Sequence, residues 1–125
     1  MSQDLSKLEH DSSLEAIVGL SIESWRFAKI FIRVLAKLDA GEKKRYEGQL
    51  RWFIKSIETK LEAVGLKLVN VEGIPFDAGI AASAVNMEDF GEEDTLIVDQ
   101  MLEPIIMGPN GVVKEGTIIL RRINQ

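Results

Sequence analysis

The first half of the chain carries more apolar surface at helical spacing than a single exposed helix requires. One apolar seam advances in steps of three, four or seven residues: Leu14, Val18, Trp25, Ala28, Ile32 and Leu35. Further apolar side chains between residues 22 and 38 widen this seam over much of the helix circumference. A lone surface helix needs only one apolar stripe. The sequence therefore predicts a helix that packs against more than a single neighbour.

A second stretch has the same property. Its apolar residues follow steps of four, three, four and three, which is the heptad spacing of paired helices. They are Leu50, Ile54, Ile57, Leu61 and Val64. Trp52 and Phe53 add bulk beside this seam. We predict a second helix that packs along it.

Short polar segments and glycines mark the predicted ends of both helices. The Ser-Ser-Leu-Glu sequence at residues 12–15 is a capping box and predicts the start of the first helix. Gly41 predicts its end, and Asp39 followed by Glu42 predicts the N-cap of the second helix. Gly65 predicts that the second helix stops in the left-handed conformation.

Two helices with this much apolar surface cannot bury all of it in a simple hairpin. Either the second half of the chain covers them, or a second copy of the chain does. Two hairpins in a four-helix bundle are the economical solution, so we predict a homodimer. The residues predicted for the dimer interface are Phe27, Phe31, Leu50, Ile54, Ile57 and Leu61.

Four basic residues also lie three or four positions apart along the first helix. They are Arg26, Lys29, Arg33 and Lys37. Such a stripe is either a docking face for an acidic partner, or a face that is solvated or pairs with acids of a neighbouring helix. Exposed ion pairs are common and individually weak, which favours the second interpretation.

After Gly65 the helical spacing gives way to short apolar stretches separated by turns. Residues 66–71 alternate as in a strand, and residues 96–101 and 117–120 are also typical of strands. The Asn-Gly pair at residues 110–111, between two apolar stretches, is a strong hairpin signal. Five or six short strands predict a small antiparallel sheet or a barrel-like domain.

The chain is therefore predicted to be an α+β protein with three parts. Residues 1–11 form a flexible N-terminus, and residues 12–65 form a helical hairpin that dimerises as a bundle. Residues 66–125 form a small all-β domain of short strands. A length of 125 residues suits an organisation of this size.

The residue types required for most catalytic and metal chemistry are scarce. The chain has no cysteine and only one histidine, His10, which excludes cysteine-based zinc sites and multi-histidine metal sites. The acidic run at residues 88–94 lacks the spacing of a calcium loop. No nucleophile has a base beside it. We therefore predict that the protein is not an enzyme and needs no metal or other cofactor.

The net charge of −5 is distributed unevenly. Residues 1–66 carry 11 basic and 10 acidic side chains, whereas residues 67–125 carry 4 basic and 10 acidic ones. An acidic second half repels nucleic acid and anionic lipid, so neither is predicted as a partner. No apolar run approaches the roughly 20 residues that cross a bilayer, and the polar first residues do not resemble a secretory signal. These features predict a cytoplasmic protein.

Several short motifs follow one another in order between residues 42 and 122. A helix ends in IETKLEAVGL at residues 57–66, and GIPFD follows at residues 73–77. TLIV at residues 95–98 then leads to the Asn-Gly turn and a last β-rich stretch. In this order the motifs resemble the GrpE family, the nucleotide exchange factors of the DnaK-type heat-shock chaperone. The resemblance covers about two-thirds of the chain.

This resemblance implies a homodimer with paired helices and a β domain on each subunit. In the family, the β domain binds the nucleotide-binding domain of the chaperone and opens its cleft, so that ADP leaves. Such a factor must bind the open state of the chaperone more tightly than the closed state. The residues that the resemblance assigns to this contact are Phe76, Asp77, Asn110, Gly111 and Lys114.

The chain also departs from the family pattern at several positions. Ala78 stands where the family has a proline, and a small residue near Ala81 replaces a histidine. Val112 stands where a basic residue follows the turn. Several of these positions lie where the family touches its chaperone. The alternative hypothesis is therefore a diverged GrpE-like dimer that acts as an adaptor without exchange activity.

Overall fold

Two helices precede six short strands in a computed structural model that describes the backbone of residues 2–123 and the side chains of residues 10–123. The chain divides into two units, residues 1–63 with the helices and residues 64–125 with the strands. The predicted α+β class and the order of helices followed by a small β unit are confirmed. We call the two parts the helical unit and the β unit.

Helix α1 spans Ser2–Leu35 and helix α2 spans Ala40–Glu62. The predicted N-cap of α2 is confirmed, because the Asp39 carboxylate accepts a hydrogen bond from the Glu42 N–H at 3.0 Å. Such a cap satisfies one of the N–H groups that the first helical turn leaves without a partner. Gly65 has a φ of 79°, which confirms the predicted left-handed stop after α2.

The predicted start of the first helix at Ser12 is wrong. Helix α1 begins at Ser2 and passes through the capping-box residues without interruption. Residues 2–11, which were predicted to be flexible, are therefore helical, and Met1 lies outside the described residues. Residues 2–11 contain no glycine or proline and several good helix formers, so nothing in them ends a helix.

The helical unit is held together by side chains on the facing sides of α1 and α2. Its buried centre consists of Ala28 and Leu35 from α1 and Leu50 from α2. Four partly buried side chains pack against this centre: Phe31, Leu38, Tyr46 and Ile54. Burying a large apolar side chain contributes roughly 1.5–3 kcal/mol, so these contacts stabilise the hairpin. The two predicted seams therefore meet within one chain.

The β unit contains two three-stranded sheets and one short 3-10 turn at Met87–Asp89. The strands are β1 (Lys67–Val69), β2 (Ala82–Ala84), β3 (Leu96–Glu103), β4 (Ile105–Gly108), β5 (Gly111–Lys114) and β6 (Gly116–Arg122). One sheet has the order β1-β4-β5 and the other has the order β2-β6-β3. The most deeply buried large side chains of the unit are Val98, Met101, Pro104, Ile106 and Ile118.

The prediction of a small antiparallel sheet or a barrel-like domain is met by antiparallel pairing at all but one pair of strands. β3 and β6 pair antiparallel, but β2 pairs with β6 in parallel. A parallel pair requires a connection long enough to return the chain to the same end of the sheet. The chain between β2 and β6 contains three other strands and so supplies that length.

The predicted hairpin is confirmed, but its central residues differ from the predicted pair. Gly108 pairs with Gly111, so Pro109 and Asn110 form the two-residue loop. An Asn-Gly type I′ turn would need a positive φ at Asn110, and no non-glycine residue in the described chain has one. Proline fixes φ near −65° and favours the first central position of a turn. Gly111, with a φ of 122°, then adopts the conformation that favours glycine.

Candidate functional site

Phe76, one of the residues predicted to contact a partner, lies along the outer edge of β3. Its N–H donates a hydrogen bond to the Leu96 carbonyl at 2.9 Å. The Val98 N–H donates to the Ile74 carbonyl at 3.0 Å, and the Gly73 N–H donates to the Val98 carbonyl at 2.8 Å. These bonds hold residues 73–76 against β3. The Phe76 side chain is half-buried there.

Asp77 follows this segment and stabilises a local turn. Its carboxylate accepts a hydrogen bond from the Gly79 N–H at 2.6 Å. This bond over two residues is typical of the turns that aspartate forms with its own backbone. Because the residue is exposed, its charge remains at the surface beside Phe76.

The other three residues predicted for partner contact share the β4–β5 hairpin. Asn110 and Lys114 are exposed, and Gly111 is half-buried in the turn. β5 is an edge strand that pairs only with β4, and its Val112 and Val113 side chains are also exposed. The hairpin therefore presents an amide, a cation and two apolar side chains to solvent.

The structure assembles these two groups separately. Phe76 and Asp77 adjoin the β2-β6-β3 sheet, whereas Asn110, Gly111 and Lys114 belong to the β1-β4-β5 sheet. No hydrogen bond or ion pair joins the two groups in the described part of the chain. A partner that contacts both groups has to span two sheets of the β unit.

Asn86 anchors a loop of the β unit, and the sequence analysis missed it. Its side-chain amide donates to the Leu120 carbonyl at 2.8 Å, and the Leu120 N–H donates to its amide oxygen at 2.9 Å. The side chain thereby continues the pairing of β2 with β6 beyond Ala84. No local sequence signal could identify this role, because the bonding partner lies 34 positions further along the chain.

The acidic run at residues 88–94 is tied to β6 through Asp94. The Asp94 carboxylate accepts a hydrogen bond from the Gly91 N–H at 2.8 Å and pairs with the Arg122 side chain at 3.2 Å. The Gly91 N–H, and then Arg122, lower the pKa of Asp94 below its ordinary value. Arg122 also lies 5.0 Å from the ring centre of Phe90. Among the residues that the structure describes, no group of three histidine or acidic side chains could hold a metal ion.

The structure divides the residues predicted for the dimer interface. Leu50 and Leu61 are buried, and Phe31, Ile54 and Ile57 are half-buried. Leu50, Phe31 and Ile54 belong to the core of a single helical unit. Phe27 differs from them because its side chain is mostly exposed.

Phe27 belongs to a row of exposed apolar side chains on α1, which we call the outer apolar stripe. Its members are Leu20, Phe27, Ile30 and Val34, which are between 48% and 69% exposed. Their spacing of seven, three and four residues places them on one face of the helix. The Phe27 ring stacks on Phe31 at 6.1 Å and meets the edge of Phe53 at 6.3 Å. The helical unit therefore leaves an apolar face in contact with solvent.

The basic residues predicted to form a stripe on α1 are partly engaged within that helix. Arg26 pairs with Glu23 at 3.3 Å. The Lys29 ammonium lies 5.4 Å from the ring centre of Trp25, within the range of a cation–π contact. Both of these contacts are made to residues of α1 itself.

An open groove of about 610 Å³ runs along α2. It is lined by Arg45, Gly48, Gln49, Trp52 and Phe53. Trp52 is the most exposed large apolar side chain of the described chain, at 73%. A Cβ atom at Gly48 would meet only the Arg51 guanidinium, at 3.9 Å, so no part of the described chain approaches the helix closely there.

Together, these features define an α+β protein with a helical hairpin unit and a six-stranded β unit. In comparisons with known proteins, no family model, curated protein or solved structure matched the chain. Neither helix combines, over its described residues, the length and the apolar character needed to cross a membrane.

Proposed function

We propose that this protein is a GrpE-like co-chaperone that binds the nucleotide-binding domain of a DnaK-type chaperone and promotes the release of ADP in the cytoplasm. The observation that best supports this proposal is the order of the two units. A helical hairpin with an exposed apolar stripe is followed directly by a β unit of short strands. This is the order that the sequence resemblance implies.

The proposed chaperone contact uses exposed groups on a unit with a well-buried core. Asp77 offers a negative charge, whereas Lys114 offers a positive charge and Asn110 an amide. The buried side chains beneath them, such as Ile106 and Ile118, resist deformation because protein cores are closely packed. A stiff β unit that binds the open state of the chaperone more tightly shifts the chaperone toward that state.

We also propose that two copies pair through the outer apolar stripe of α1. Phe27, Ile30 and Val34 are contiguous along the helix, and large apolar side chains in one row favour a protein contact over solvent. A two-fold dimer uses the same surface on both subunits. Glu23 lies in the same row between Leu20 and Phe27, and its carboxylate pairs with Arg26 at 3.3 Å. This proposal replaces the predicted use of Leu50 and Ile54, which pack inside one helical unit.

The direct test is the release of a fluorescent ADP analogue from a DnaK-type chaperone, followed by stopped flow. We expect release to accelerate as the concentration of this protein rises. The double variant Asn110→Ala with Lys114→Ala should weaken chaperone binding roughly 10-fold or more, because it removes two polar groups of the contact. Both residues are exposed, so the variant should fold and assemble as the wild type does.

The control is Lys67→Ala, which removes an exposed lysine from β1 in the same sheet. It should leave chaperone binding within about twofold of the wild type, as expected for a surface change away from the contact. Undiminished binding by the Asn110 and Lys114 double variant would reject this assignment of the contact.

The second candidate function is a GrpE-like adaptor without exchange activity. It is motivated by the substitutions at Ala78, Ala81 and Val112, and Val112 lies on the exposed hairpin. A folded sample that binds the chaperone, or another partner, without accelerating ADP release would favour the adaptor.

A further inference from the structure

The groove on α2 lies within a row of basic residues, which we call the α2 basic face. Its members are Lys44, Arg45, Arg51 and Lys55, all exposed. They lie three, four or seven positions from Gly48, so they share one side of the helix with it. Arg45 lines the groove itself, and the other three flank it on the side of Gly48. This face was not singled out in the sequence analysis, because the basic stripe of α1 is the more regular pattern.

The cations of the α2 basic face are not neutralised within the described chain. Glu47 lies three positions from Lys44 and four from Arg51, at the edge of this face, and its carboxylate pairs with Lys43 at 3.9 Å. None of the four cations takes part in an ion pair with another described residue. The face therefore carries a concentrated positive charge on a protein with a net charge of −5.

The floor and wall of the groove suit an apolar side chain. Glycine inside a helix costs about 1 kcal/mol relative to alanine. Among the described residues, only the Arg51 guanidinium lies within 4 Å of the position of a Gly48 Cβ, at 3.9 Å. Trp52 stands one turn further along with 73% of its surface exposed. Tryptophan and arginine are the residues most often found at the centre of protein contacts.

We propose that this groove binds an acidic polypeptide segment. A large apolar side chain of the segment occupies the space above Gly48 beside Trp52, and its carboxylates pair with Arg45 and Arg51. A second copy of the chain is a poor occupant, because a two-fold contact would bring the basic faces together. Nucleic acid is disfavoured by the 10 acidic and 4 basic side chains of residues 67–125. This proposal is independent of the co-chaperone function.

The test is fluorescence anisotropy with the full-length protein and three labelled probes. The first is an amphipathic helical peptide of Glu, Ala and Leu, and the second replaces every Glu by Lys. The third is a single-stranded oligo-dT of similar length. We expect the acidic peptide to bind, and the lysine peptide and oligo-dT to bind roughly 10-fold more weakly or not at all.

Two variants locate the binding site. Gly48→Leu fills the groove without changing the charge, and its Cβ would meet only the flexible end of Arg51, at 3.9 Å, so the helix should fold. The double variant Arg45→Glu with Arg51→Glu reverses the charge of the face. Each variant should bind the acidic peptide with an affinity roughly 10-fold or more below that of the wild type. The matched control, Arg33→Glu with Lys37→Glu, makes the same charge change at exposed positions of α1. It should change the affinity for the acidic peptide by less than about twofold.

Four results would overturn the proposal. The first is equal affinity for the acidic and lysine peptides, and the second is unchanged binding by Gly48→Leu in a sample with wild-type helicity. The third is an equal loss of affinity in the α1 control, because that would indicate only a general charge effect. The fourth is oligo-dT binding as tight as that of the acidic peptide. If sedimentation shows that the wild type is a dimer and that Gly48→Leu is a monomer, the groove is instead a contact between two copies of the chain.

Discussion

At the scale of single residues, several polar side chains of the β unit complete the backbone hydrogen bonding of its strands. Asn86 bonds to both backbone groups of Leu120, and the Glu72 carboxylate accepts a hydrogen bond from the Met101 N–H at 3.0 Å. The Met101 bond lies within β3 where its pairing with β6 is irregular. A buried backbone group without a partner costs about 1–3 kcal/mol, so such side chains stabilise short strands.

Replacing Asn86 with alanine should therefore destabilise the β unit by about 1–3 kcal/mol, because it removes two hydrogen bonds to Leu120. Urea unfolding followed by NMR signals of the β unit measures this change. Amide exchange at Leu120 should also become faster. Asn110→Ala is the matched control, since that side chain is exposed in the hairpin loop and should change stability by less than about 0.5 kcal/mol. Equal unfolding midpoints for wild type and Asn86→Ala would contradict the anchoring role.

At the scale of secondary-structure elements, the ends of α2 depend on local chemistry and its middle does not. Asp39 caps the first turn of α2. Gly65, with a φ of 79°, forms the left-handed stop after its last turn. Both could be predicted from the sequence, because each role involves residues within three or four positions. Gly48 has no such local role, and nothing in the described chain requires a glycine there.

Two glycine-to-alanine substitutions should accordingly change stability in opposite directions. Gly48→Ala should stabilise α2 by about 1 kcal/mol, because the helix interior favours alanine and the added Cβ has room. Gly65→Ala should destabilise the protein by about 1–2 kcal/mol, because alanine resists a positive φ. Thermal unfolding followed by circular dichroism measures both. A stabilising effect of Gly65→Ala would contradict the left-handed stop.

At the scale of the whole molecule, each unit has its own core, and the helical unit also exposes an apolar surface. Leu50, which was predicted for the dimer interface, packs with Ala28 and Leu35 inside one hairpin. The surface left for a second copy is the outer apolar stripe, which includes Phe27. Substitutions at Leu50 or Ile54 would therefore damage the hairpin itself and could not test assembly alone.

Phe27→Glu provides a more specific test of the dimer. We expect wild-type protein to sediment as a dimer at micromolar concentration, and the variant to sediment as a monomer with its helical content retained. The reason is that Phe27 is mostly exposed in one chain, so a charge there opposes pairing without entering the hairpin core. Arg33→Glu, an exposed change elsewhere on α1, should remain dimeric. A monomeric wild type would refute pairing through this stripe.

The features that depend on neighbouring residues could be predicted from the amino-acid sequence. These include the two helices, the cap at Asp39, the stop at Gly65 and the existence of the β4–β5 hairpin. The start of α1 was missed, because a capping box competes poorly with ten helix-compatible residues in front of it. Local signals of this kind are reliable only where a strong helix breaker supports them.

Which strands pair and which apolar faces stay exposed depends on contacts between residues that are far apart in the chain. The division into two sheets, the parallel pairing of β2 with β6 and the role of Asn86 all join residues far apart in the chain. The burial of Leu50 and the exposure of Phe27 likewise depend on how α1 lies against α2. The physical reason is that hydrophobic burial and strand pairing depend on which surfaces meet, whereas apolar spacing in the sequence shows only that surfaces are available.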